Sequence, residues 1–78
     1  MAVKAKLVGV KPKLVPGISL DGWYQLDIDM PQTVESILGL FGLKAGALSV
    51  MKNGSLTDIE DIVVDKDELQ IMLKSLGG

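Results

Sequence analysis

Residues 33–43 read TVESILGLFGL, and their period dictates what the rest of the chain must supply. Val34, Ile37, Leu38 and Phe41 fall at i, i+3, i+4 and i+7, the spacing of one apolar stripe on a helix. Thr33 stands where an N-cap hydroxyl accepts from the free N–H groups of the first turn, just after Pro31. Gly42 stands where a left-handed C-cap residue belongs, with Leu43 as the apolar staple behind it. The spacing predicts a helix over Thr33–Phe41 with a single buried side. Gly39 within it costs roughly 1 kcal/mol against alanine, which is accounted for by close approach to a neighbouring sheet.

That buried side needs a sheet to lie on, and the flanking segments have period two. In VKAKLVG, Val3, Ala5 and Leu7 alternate with Lys4, Lys6 and Val8, a strand with one apolar face. In WYQLDIDM, Tyr24, Leu26, Ile28 and Met30 alternate with Trp23, Gln25, Asp27 and Asp29. The preceding Asp21-Gly22 is expected to close a hairpin between these two strands. Between them KPKLVPGISLDG is punctuated by proline and glycine as a long loop, and its Leu14, Val15, Ile18 and Leu20 are expected to fold over a sheet edge. Beyond the helix, ALSVMKNGSLT gives a strand, an Asn53-Gly54 turn and a short returning strand. DIEDIVV is a connection with room for one helical turn, and DKDELQIMLK becomes a last strand with Leu69, Ile71 and Leu73 inward. The order is strand, strand, helix, strand, short strand, strand. One helix stripe must then cover one face of one sheet, because each alone leaves apolar surface in water. The layout predicts an α+β fold: a mixed sheet of four to five strands with one helix on one face.

Composition narrows the function. The 78 residues suit one domain near the lower limit for a self-sufficient core. Histidine and cysteine are both absent, which removes the commonest general base, the commonest zinc ligands and any disulfide framework. The net charge of −2 lacks the electrostatic footprint of a nucleic-acid binder. Lys4, Lys6, Lys11 and Lys13 read as the solvent face of a strand and a solvated loop. No apolar run reaches membrane-spanning length and no signal peptide is visible, so a cytoplasmic domain is expected. Asp58, Glu60, Asp61, Asp65, Asp67 and Glu68 lack the EF-hand spacing with its central glycine. They read as a solvated acidic face suited to a basic partner surface, and no metal site is expected.

From the helix onward the chain resembles the ubiquitin-like β-grasp sulfur carriers, namely the molybdopterin synthase small subunit and the thiamine-pathway sulfur carrier. The resemblance is carried, in order, by TVESILGLFGL, VMKNGSLTD, VVDKDELQIML and the closing LGG. It implies a β-grasp domain over residues 1–74 followed by a flexible Gly-Gly tail over 75–78. Two departures stand out. Lys66-Asp67-Glu68 occupies the place of a Gly-Asp-Glu turn, so a different turn geometry is expected there. Leu73-Lys74-Ser75 occupies the place of a Pro-Pro pair found in many molybdopterin-type carriers.

The resemblance implies that Gly78 carries the reacting carboxylate. An E1-like adenylating enzyme would activate it with ATP and convert it to a thiocarboxylate, which a synthase large subunit or another sulfur acceptor enzyme would consume. This chain would itself be no enzyme and bind no cofactor. Residues 74–78 can extend roughly 16 Å, at about 3.3 Å per residue. Gly77 has no side chain to obstruct a narrow passage, and Leu76 offers one apolar handhold in it. Met51 and Met72 fall on the sheet face opposite the helix. Together with Trp23 they are the candidate partner-binding residues; a covering by the long loop is the alternative. Two further readings use the same terminus or none of it. One is a protein modifier joined through Gly78 to target lysines, the other a β-grasp interaction module with an incidental Gly-Gly end. The pathway that receives the sulfur is left open.

Overall fold

The computed structural model describes residues 1–74. In chain order it holds β1 (Ala2–Val8), β2 (Ile18–Leu20), β3 (Trp23–Asp27), β4 (Gln32–Thr33), α1 (Val34–Leu40), a 3-10 turn (Ala45–Ala47), β5 (Leu48–Lys52), β6 (Ser55–Thr57), β7 (Ile62–Val63) and β8 (Glu68–Leu73). Six strands form one sheet in the order β2-β3-β1-β8-β5-β6. β1 and β8 pair in parallel at its centre, and every other neighbour is antiparallel. The parallel pair requires a crossover, and α1 lies in it. This is the β-grasp arrangement. It has one strand more than the four to five expected, and a separate small ladder joins β4 to β7.

The helix forms as its sequence dictates. The Thr33 hydroxyl accepts from the Ser36 N–H at 3.1 Å, and the Val34 and Glu35 N–H groups donate to the carbonyls of Asp61 and Ile59. The orphan donors of the first turn are thereby matched. At the other end Gly42 takes φ +71°; its N–H donates to Gly39, and the Leu43 N–H donates to Leu38. These are the two bonds of a Schellman cap. Val34, Ile37, Leu38 and Phe41 are buried against Val3, Ala5, Leu26, Ile28, Val50, Leu69 and Ile71. The Tyr24 and Phe41 rings meet edge-on at 5.2 Å, a favoured aromatic geometry. Leu7, expected in this core, is only half-buried near the end of β1.

Several expectations are corrected. Asp21-Gly22 does close a hairpin, with φ 54° and 82°, but it joins β3 to β2 rather than to β1. The turn's two residues fix only the nearest pairing, and Ile18–Leu20 supplies it within what reads as loop. Leu14, Val15, Ile18 and Leu20 are more than half exposed rather than folded away. The Lys13 and Leu14 N–H groups both donate to the Phe41 carbonyl, so the long loop is tied to the helix C-terminus. The 58–64 connection contains no helical turn; a tight turn from Asp58 to Asp61 leads into β7. Lys66 takes φ +72°, a left-handed conformation that a glycine adopts freely and that lysine adopts here.

Gly39 makes no close approach to the sheet, since a Cβ there would meet nothing within 4 Å. The glycine therefore carries the entropic cost of its flexibility without a packing benefit. Gly39→Ala is expected to stabilise the chain by about 0.5–1 kcal/mol, measured by chemical denaturation with an unchanged m-value.

Candidate functional site

Strand β8 positions the site. It is the strand between β1 and β5, held down by Leu69 and Ile71, both fully buried. Pairing continues to Leu73 opposite Leu48, and the Lys74 N–H donates to the Ala47 carbonyl at 2.9 Å. The sheet ends there, beside the 3-10 turn, and Lys74 is the last described residue, at the end of a central strand. Leu76, Gly77 and Gly78 lie outside the described residues.

The face opposite the helix is set by cross-strand register. One row reads Leu20, Trp23, Lys6, Gln70, Met51, Leu56 across the sheet, and the next reads Val8, Met72, Ser49. Met51 and Met72 thus lie on adjacent strands of one face, as expected, Met51 opposite Gln70 and Met72 two residues beyond Gln70 on β8, and each is half-buried. Val8 and Leu56 extend their patch, being 46% and 76% exposed. Trp23 does not join it. Lys6 and Gln70 intervene, and three strand spacings put Trp23 roughly 14 Å from Met51. Trp23 instead packs under the Lys6 ammonium, 5.8 Å from the ring centroid, within cation–π range. The long loop is bonded to Phe41 on the helix side. The sequence holds the signal for Leu56: a two-residue Asn53-Gly54 hairpin pairs 52 with 55 and therefore 51 with 56.

On the other side of β5 an open cleft of about 710 Å³ runs past Glu35, Leu48, Thr57, Asp58, Glu60 and Lys74. Its acidic lip is ordered from within. Asp61 accepts from the Thr57 hydroxyl and from the Asp58 N–H. The Thr57 bond first, then the Asp58 N–H, hold its carboxyl below the usual value; slight desolvation opposes them and Lys52 adds to them. Because that pKa is lowered on folding, the stabilisation is present above the ordinary value and is lost as pH falls through the folded one. Asp58, Glu60, Asp65 and Glu68 are exposed, as a solvated acidic face requires.

Asp67 departs from that group. It is 8% exposed, and its carboxylate accepts from the Asn53 side-chain amide at 2.9 Å and the Val64 N–H at 2.8 Å. It is a buried cross-link between the hairpin tip and the turn before β8. Among the described residues no group of three acidic side chains converges to hold a metal ion. No helix there is long and apolar enough to cross a membrane.

No family model matches the chain, and no curated protein matches it. Among solved structures it is similar to SAMP1 from Haloferax volcanii, with a TM-score of 0.65 over 100% of both chains at 17% identity. The likeness carries the fold, which is that of a ubiquitin-like β-grasp protein.

Proposed function

We propose that the protein is a sulfur carrier whose working group is the Gly78 carboxylate. An E1-like enzyme adenylates it: a carboxylate oxygen attacks the α-phosphorus of ATP, and pyrophosphate leaves. A sulfur nucleophile then displaces AMP, and the resulting thiocarboxylate delivers sulfide to a biosynthetic acceptor. The chain supplies no catalyst and binds no cofactor; ATP belongs to the partner, and the reaction takes place in the cytoplasm. Supporting this reading is the place where β8 ends. Lys74 stands at the rim of the body with Met72 two residues behind it, so one partner can seat on the methionine patch while receiving the residues that follow Lys74. Leu76 and Gly77 then occupy the partner's channel. Trp23, across the sheet, contributes a second and separate contact.

The test is the intact mass of the protein taken from its native cells. A sulfur-for-oxygen increase at the terminus is the expected result. Covalent adducts through Gly78 on lysines of other proteins would instead make it a modifier, and neither species would leave an interaction module.

The surface carries its own expected outcome. Met51→Asp or Met72→Asp should weaken binding to the activating enzyme by at least about tenfold, the effect of truncating a hot-spot contact. Both side chains lie outside the core, so the melting temperature should fall only slightly. Titration calorimetry beside thermal melting separates the two effects; unfolding of either variant would mean that these side chains hold the body together.

A further inference from the structure

Asn53-Gly54 closes the β5–β6 hairpin, and this dipeptide has a reaction of its own. The Gly54 backbone nitrogen can attack Cγ of Asn53. The Cγ–Nδ2 bond breaks, and the Gly54 amide proton leaves with the NH₂ group as ammonia, giving a cyclic imide. Water adds to either imide carbonyl and opens the ring to aspartate or to its isoaspartyl isomer. Nothing is oxidised or reduced, and water is the sole co-reactant. Glycine at 54 favours the attack because it has no Cβ in the way.

In the folded chain the amide is clamped away from that path. Its Nδ2 donates to Asp67 Oδ1 at 2.9 Å, and its Oδ1 accepts from the Glu68 N–H at 2.9 Å. The Asn53 N–H donates to the Glu68 carbonyl at 2.8 Å. Positive φ angles of 53° and 86° hold the turn. Cγ cannot turn toward the Gly54 nitrogen without breaking both side-chain bonds.

We infer that Asn53 is a deamidation site gated by Asp67. The closed turn protects the amide and an open one exposes it. Conversion disrupts the turn that had protected the amide. The product replaces the Nδ2 donor with a carboxylate facing the buried Asp67 carboxylate, and two like charges at that distance repel. The isoaspartyl product also lengthens the main chain by one carbon, which a two-residue turn cannot absorb. The tip then separates from the start of β8, on the hairpin that carries Met51 and Leu56. The reaction is thus a one-way route from an intact outer face to a loosened one.

The test follows Asn53 by peptide mass spectrometry, with isoaspartate-specific methylation, during incubation at mildly alkaline pH. In the native chain deamidation should run at least about tenfold slower than in denaturing guanidinium, the protection expected of two such bonds. Asp67→Ala, which removes one of the two bonds, should raise the native rate by about threefold or more, and an unchanged rate would overturn the gate. Asn53→Asp installs the product's carboxylate directly and keeps the test decisive should Asp67→Ala not fold; it should melt well below the parent. Equal rates in the native and denatured chains, or an Asn53→Asp variant that melts with the parent, would overturn the gate.

Discussion

Ile37→Ala is expected to cost about 2–5 kcal/mol of folding stability, the range for removing a buried isoleucine side chain beyond Cβ. Ile37 is 0% exposed and lies in the middle of the stripe, between Val34 and Phe41. α1 has seven residues, far too few to persist without its sheet, so the lost packing has no local propensity behind it. A domain of this size is stable by only about 4–12 kcal/mol, and each kcal/mol moves the midpoint by about 4–8 °C. The variant should therefore melt about 8–40 °C below the parent, and it should be partly unfolded at ambient temperature if the parent is at the low end. Calorimetry or thermal circular dichroism reads the shift. A loss under about 1 kcal/mol would mean that the helix does not close the core. Gly39→Ala, two residues on, tests the same helix with the opposite sign, since that position faces open space.

The contrast between those neighbours shows where reading from sequence stops. The stripe, the Thr33 cap and the Gly42 cap are legible because period and capping chemistry are local, and all are present as read. What surrounds a glycine is a property of other segments, so Gly39 could be assigned a close approach that the packing does not make. β2 was missed for a related reason. Its three residues bury nothing and are held by backbone pairing to β3, which leaves no periodic mark, while Pro16, Gly17 and Gly22 mark the segment as loop. At Lys66 the left-handed geometry is accompanied by a bond from the Lys66 N–H to the Ala2 carbonyl at 2.7 Å. That long-range bond helps offset the steric cost of a left-handed conformation at a residue with a Cβ.

The candidate site divides in the same way. Alternation places Met51 and Met72 on the outer face, and the antiparallel β5–β8 pairing puts their strands side by side. It places Trp23 on the same face too, but cannot tell that Trp23 lies beyond Lys6 and Gln70, because strand order, not alternation, sets lateral distance. Asp67 is the clearest case. Among six nearby acids it reads as one more solvated carboxylate, and only the fold brings Asn53 and the Val64 N–H to it.

Removing Gly78 is expected to abolish ATP-dependent activation by the cognate enzyme while leaving the melting curve within about 0.5 kcal/mol of the parent, the usual bound for changes away from the core. Gly78 has no side chain, and every buried apolar residue among those described lies between Val3 and Ile71, so stability has no stake in it. Activation has every stake. The carboxylate must meet the α-phosphorus in line, and a misplacement of about 1 Å can cost about 10²-fold in rate. Adding one alanine after Gly78 carries the carboxylate about 3.5 Å further along the chain and places a methyl group where the passage admits none. It should be as inactive as the deletion. Pyrophosphate exchange with the activating enzyme reads both variants, and Met51→Asp provides the complementary case of an intact terminus on a weakened surface. If either terminal variant is adenylated as fast as the parent, the carrier and modifier readings fall together, because both require this carboxylate at that phosphorus. Loss of activation with unchanged binding would instead place the chemistry at the terminus and the recognition on the sheet.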